Sequence, residues 1–120
     1  MATTIMTHCT HGKDDAERAT LPFVVANVAA SADQKTIVLL TIDGVWIATK
    51  GYAAGIQKEG FPPLTEIIES FVSNDGEIWA CGACTKPRGI TDDDMIPGAR
   101  IVTAAMVVEQ LAGGAKTLGF

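Results

Sequence analysis

Hydrophobic and polar positions along the chain follow two periods that alternate from one end to the other. Thr3 to Cys9 is short, β-branched and mostly uncharged, which predicts a buried strand. A polar loop, Thr10-His11-Gly12-Lys13-Asp14-Asp15, follows, and its last Asp suits the cap of a helix. Ala16, Ala19, Phe23, Ala26 and Ala30 then recur at spacings of three and four, one helical face over about Asp15 to Ser31. Pro22 falls inside this stretch and removes one helix hydrogen bond, which predicts a bend or a late start there.

Thr36 to Ile42 is a continuous apolar run of strand length, the mark of a strand covered on both faces. Asp43-Gly44 ends it. Val45 to Ala54 reads as a short helix broken by Gly51 and Gly55, and Phe61-Pro62-Pro63 as a stiff connection. Leu64, Ile67, Ile68 and Phe71 form the face of a second clear helix. After the turn Asn74-Asp75-Gly76, Glu77 to Cys81 is a short strand. Thr91-Asp92-Asp93-Asp94 resembles a helix start, with Thr91 as cap and acids in the first turn. Ala99 to Val102 is a strand, and Thr103 caps a helix whose predicted face is Ala104, Val107, Val108 and Leu111. Ala115 to Phe120 closes the chain as a strand. This alternation predicts an α/β protein, a three-layer α/β/α sandwich on a mainly parallel five-stranded sheet. At 120 residues it is one domain, residues 1–120.

Composition narrows the function classes. Hydrophobic residues are 48% of the chain, enough for a real core. No run of 18 apolar residues exists, so the sequence predicts no membrane span. Nine Lys+Arg against fourteen Asp+Glu give a net charge of -5, against the basic footprint that nucleic acid requires. Three cysteines is an odd count for a disulfide scaffold and fits a reducing compartment with thiols kept for chemistry. The start, Met1 to Met6, lacks a basic segment and a long apolar one, which predicts no leader and a cytoplasmic protein.

The chemistry concentrates in the cysteines. Parallel α/β sheets place ligands at the carboxyl ends of their strands. Cys9 follows the first strand, flanked by His8 and His11. Cys81 ends the third, and Cys84 lies three residues on, in Trp79-Ala80-Cys81-Gly82-Ala83-Cys84-Thr85-Lys86-Pro87-Arg88-Gly89-Ile90. A helix start at Cys81 and the positive charge of Lys86 and Arg88 are features that lower a thiol's pKa. Gly82 and Gly89 suggest a flexible loop.

A C-x-x-C pair is shared by dithiol redox, sulfur transfer and metal sites. For a thioredoxin-like reductase the pair comes too late, after two βα units. For structural zinc the chain supplies one C-x-x-C knuckle, and His8, Cys9 or His11 would have to complete it. His8 and His11 also read simply as polar residues of a solvent-facing loop. Lys86 and Arg88 repel a divalent cation and favour a thiolate, so the sequence predicts no metal and no cofactor. Phosphate-loop, dinucleotide and nucleophile-elbow motifs are absent.

These residues carry a resemblance. The short first strand, Asp14-Asp15 opening a helix, and Ile37-Val38-Leu39-Leu40 followed by Asp43-Gly44-Val45 resemble the DsrE/DsrF/TusD-like sulfur-relay family. So does Cys81, placed seven residues before the Arg of Arg88-Gly89-Ile90. The resemblance implies a three-layer fold, assembly as a homotrimer or hexamer, and a cysteine that accepts sulfane sulfur as a persulfide. It implies sulfur-donor and sulfur-acceptor proteins as partners, and Cys81 and Cys84 as reacting thiols supported by Lys86, Arg88, Gly82 and Gly89. Cys84 is an extra thiol relative to single-cysteine members. Two other classes stay open: a non-catalytic binding or structural subunit with Cys81 and Cys84 holding zinc, and a dithiol reductase. For assembly, Val45-Trp46-Ile47, Tyr52 and Phe61 to Leu64 are expected to lie partly between subunits.

Overall fold

The structure is a computed structural model and describes residues 3–120; the leader reading at Met1 and Ala2 lies outside them. Five strands, β1 (Ile5–Cys9), β2 (Thr36–Leu40), β3 (Glu77–Cys81), β4 (Ala99–Val102) and β5 (Lys116–Gly119), form one sheet in the order β4-β3-β2-β1-β5. Every pairing is parallel. Four α-helices accompany it: α1 (Ala16–Ser31), α2 (Leu64–Ser73), a single turn α3 (Gly82–Thr85), and α4 (Ala104–Ala112). The three-layer α/β/α reading therefore holds.

Chain direction explains the layers. From β1 to β4 each strand is laid beside the last, and right-handed crossovers keep α1 and α2 on one face. The step from β4 to β5 runs back across the whole sheet, so the same handedness sends α4 to the opposite face. Strand alternation supplies a core to each side. Val38, Leu40, Ile78 and Ala80 pack under α1 and α2, with Phe23 and Phe71 meeting edge-on at 6.2 Å. Met6, Ile37, Leu39, Trp79 and Val102 form the second core, under Met106 and Val107 of α4. Phe120 closes the chain beside β1, its N–H donating to His8 O (3.2 Å) and its carbonyl accepting from Thr10 Oγ1 (3.4 Å).

Four local readings are revised. Pro22 does not delay α1, which starts at its Asp15 cap and runs unbroken through the proline. The carbonyl that Pro22 leaves without an amide partner is that of Arg18, and Cys9 Sγ lies 3.8 Å from it. The Pro22 carbonyl in turn accepts from Thr7 Oγ1 (3.0 Å), so β1 side chains pack against the helix at this turn and one of them is hydrogen-bonded to it. Ile42–Ala48 forms a 3-10 helix rather than an α-helix from Val45. Thr91 and Asp94 form a reciprocal capping box, but around one 3-10 turn, Asp92–Asp94. Finally, α4 is rotated from the predicted face: Met106 and Val107 turn inward, while Val108 and Leu111 are exposed.

The stretch expected between subunits is largely core. Val45, Ile47 and Leu64 are fully buried, and Trp46 stacks on Tyr52 at 6.1 Å within the chain. The large exposed apolar side chains are instead Val28, Ile42, Val108, Leu111 and Leu118. No helix among the described residues is long and apolar enough to cross a membrane.

Candidate functional site

Connections leave the carboxyl ends of β1, β2 and β3 toward the α1/α2 face, where Ile90, Met95 and Ile96 of the β3–β4 connection also pack. The connection from β4 leaves toward α4. Between β3 and β4 the direction reverses, the arrangement at which parallel α/β sheets place their ligand sites. Cys81 is the last residue of β3 and pairs with Val102, the last of β4. It is half-buried and carries a free thiol.

The chain turns sharply away after Cys81. Cys81 is the residue before α3, in extended conformation (φ -64°, ψ 121°), and a 3-10 turn at Lys86–Arg88 continues the loop. Gly82 packs tightly: a β-carbon there would lie 3.1 Å from the Val102 carbonyl. Gly89 closes the loop at φ 69°, a left-handed conformation that favours glycine. The two glycines thus serve close approach and a turn.

Arg88 ties this loop to the end of β2. Its Nη2 and Nε donate to Asp43 Oδ1 at 2.9 and 3.2 Å, and its Nη1 donates to the Cys84 carbonyl at 3.0 Å. The guanidinium is therefore committed to the scaffold of the loop. Lys86 is exposed. Cys84 is half-buried against the core under α1 and α2.

The remaining sulfur and imidazole groups separate cleanly. Cys9 lies on the opposite face from Cys81, fully buried under α1, with Sγ donating to the His11 carbonyl (3.3 Å). Burial pushes its thiol up to about 12. His11 Nδ1 pairs with Asp14 Oδ2 at 2.7 Å, and that bond holds the Asp14 carboxyl below its usual range. Among the described residues no three His, Cys, Asp or Glu side chains converge to hold a metal ion. The alternation of β1, which turns Cys9 to one face and His8 to the other, prevents the Cys9-His8 convergence on the C-x-x-C pair that zinc would need.

His8 is in β1 itself and half-buried, not in a solvent-facing loop. Its Nε2 shares a 2.7 Å hydrogen bond with Thr41 Oγ1. Sequence reasoning passed over Thr41 and Asp43. Only the register reveals Thr41: Leu40 pairs with Ala80, so Thr41, the next residue, stands abreast of Cys81. A groove of about 530 Å³ between Ile47, Ile68, Val72, Ile96 and Pro97 lies on the α2 side and includes no residue of the cysteine loop.

Comparison with known proteins agrees with this architecture. The E. coli YchN structure superposes with a TM-score of 0.80 over the full length of both chains, at 20% identity. MTH1491 of Methanobacterium thermoautotrophicum, a protein of unknown function, gives 0.76 at 16% identity, covering 98% of this chain and 99% of its own. Among sequences, the uncharacterized protein MK0008 of Methanopyrus kandleri is 30% identical over 87 residues, 72% of this chain and 69% of its own. The uncharacterized MJ0760 of Methanocaldococcus jannaschii is 28% identical over 103 residues, 86% of this chain but only 38% of that longer protein. The family model for DsrE/DsrF-like proteins matches residues 4–120, and the chain belongs to that family.

Proposed function

We propose that this chain is a cytoplasmic sulfur carrier in which Cys81 accepts sulfane sulfur as a persulfide and passes it to a partner protein. The observation that carries the reading is the position of Cys81. It is a half-buried free thiol at the carboxyl end of a central strand, where the sheet connections reverse direction. Membership of the DsrE/DsrF-like family supports a sulfur-relay role for that position.

The chemistry balances without a cofactor. A Cys81 thiolate attacks the terminal sulfur of a donor persulfide, R–S–SH. The new Cys81 S–S bond forms, the donor S–S bond breaks, and R–S⁻ leaves. Cys84, three residues on, either carries the sulfur or resolves it. In the second case its thiolate attacks Cys81 Sγ, forms a Cys81–Cys84 disulfide and releases HS⁻. Donor and acceptor proteins are the partners of this reading, and a homotrimer or hexamer is its assembly. Exposed Val108 and Leu111 on α4 and Leu118 on β5 support subunit contact on those elements. Light scattering at micromolar concentration reads the assembly, and a 12.6 kDa monomer would count against it.

Intact mass after polysulfide treatment tests the transfer. The expected result is a gain in ~32 Da steps, one sulfur each. Cys81→Ser abolishes most of it, and Cys84→Ser changes the lifetime of the adduct. Full gain in Cys81→Ser would overturn the reading.

A further inference from the structure

Three strands bring three side chains to one edge of the α4 face. On β1, Met6 belongs to the core under α4, so His8, two residues on, faces the same side. On β3, Trp79 belongs to that core, so Cys81 faces it too. Thr41 follows β2 in extended conformation (φ -133°, ψ 166°), with its amide still donating to Cys9 O at 3.0 Å as a continuation of the ladder. Its hydroxyl lies on the α4 face, because it meets His8 Nε2 there at 2.7 Å. Neighbouring strands lie ~4.8 Å apart. Thr41, abreast of Cys81, is therefore interposed between the imidazole and the thiol.

We infer that His8 is the proton acceptor for Cys81, working through the Thr41 hydroxyl. The assignment rests on the sulfur-carrier reading for its biological purpose, but not for its test. With the ring proton on Nδ1, Nε2 accepts the Thr41 O–H, and the lone pairs of Thr41 Oγ1 are left free to accept. Thr41 Oγ1 and Cys81 Sγ are not hydrogen-bonded in this structure; the step requires them to approach, as catalytic hydrogen bonds often close only on reaction. In the step, the Cys81 S–H proton passes to Thr41 Oγ1 as the Thr41 proton passes to His8 Nε2. The products are a thiolate and an imidazolium with the hydroxyl restored between them. After sulfur transfer the same path returns the proton to the departing R–S⁻. The net change is Cys81–SH + R–S–SH → Cys81–S–SH + R–SH.

Two further features bear on the site. Burial lowers the pKa of His8, so the resting ring is neutral at pH 7 and its Nε2 lone pair is free to accept the Thr41 O–H. Ile42, the next residue after Thr41, sits at φ 56°, a left-handed conformation that a β-branched side chain rarely adopts. That turn stops β2 at Thr41 and leaves its hydroxyl at the sheet edge.

Alkylation of Cys81 by iodoacetamide at pH 7.5, followed on its peptide by mass spectrometry, reads the relay without any sulfur donor. Thr41→Val keeps the shape and removes the hydroxyl; it should slow alkylation about tenfold. Thr41→Ser should recover most of the rate. His8→Ala should slow it to a similar degree, and added imidazole should restore it, which a merely structural loss would not allow. The double variant should be no slower than either single one. Rates that stay within twofold of the parent chain in both Thr41→Val and His8→Ala would overturn the assignment. So would slowing that neither Thr41→Ser nor imidazole relieves. If the alkylation pattern holds but polysulfide adds no mass, the relay stands and the sulfur-carrier reading fails; sulfur gain with unaffected variants gives the converse.

Discussion

Arg88 grips Asp43 with two nitrogens on a single oxygen, Oδ1, while its third nitrogen holds the Cys84 carbonyl. One side chain thereby spans the loop after β3 and the loop after β2. The pair is half-exposed, so its Coulomb energy is screened, and its consequence is geometric more than energetic.

Arg88→Ala should cost no more than about 1 kcal/mol of stability. It should nonetheless lower persulfide capture at Cys81 severalfold, because the loop that follows the thiol loses its tether. Arg88→Lys should not restore capture, since one ammonium cannot reproduce the fork. Urea unfolding beside the mass assay separates the two effects; a large stability loss with normal capture would refute this account.

Cys9 makes the fold sensitive to alkali. Its thiol ordinarily titrates at 9.0 and is raised to about 12 in the folded chain. Above pH 9 the unfolded chain releases this proton while the folded chain keeps it. The native state then binds more protons, so stability falls as pH rises, at up to roughly 1.4 kcal/mol per pH unit. Cys9→Ala should flatten the slope between pH 9 and 10.5, measured by urea midpoints under reducing conditions. Equal slopes in the two chains would rule the thiol out as the cause.

Gly44 touches the backbone of β1. A β-carbon there would lie 2.5 Å from the Cys9 carbonyl oxygen, which cannot move without disturbing the ladder. Gly44→Ala should destabilise by roughly 1–3 kcal/mol. Gly119→Ala, where a β-carbon meets nothing within 4 Å, is the matched control and should leave the urea midpoint unchanged.

The left-handed turn at Ile42 stores strain on a side chain that is 53% exposed. Ile42→Asn should raise stability by about 1 kcal/mol, because Asn tolerates this conformation and little burial is lost. A lower melting temperature in Ile42→Asn would show that the exposed isoleucine contributes packing that outweighs the strain.

Much of the fold was legible because strands β3 and β4 announce themselves locally: short apolar runs, bounded by turn residues, with Cys81 and Val102 as their last members. The face of α4 was not. Its sequence is apolar nearly all round, so spacing alone does not choose between Val107–Val108–Leu111 and Met106–Val107; the sheet beneath it does. Pro22 misled for a similar reason, since the groups that pack against that turn of α1, Thr7 and Cys9, come from a different element. At the site, C-x-x-C spacing singled out Cys81 and Cys84. His8 and Thr41 were invisible as a pair because 33 residues separate them, and only the parallel register makes them neighbours.

The bond from the Phe120 amide to His8 O fixes where Phe120 lies: at the carboxyl edge of the sheet that also carries Cys81. Ile5, by contrast, starts β1 at the far edge, level with Lys116. Fusions to this protein are therefore not equivalent. An affinity tag or reporter joined after Phe120 emerges at the same carboxyl edge of the sheet as Cys81, three strands across from it, where it would stand in the way of a protein that docks on that edge. The same tag placed ahead of β1 is carried a strand length away, and assays of sulfur exchange are best built on that arrangement.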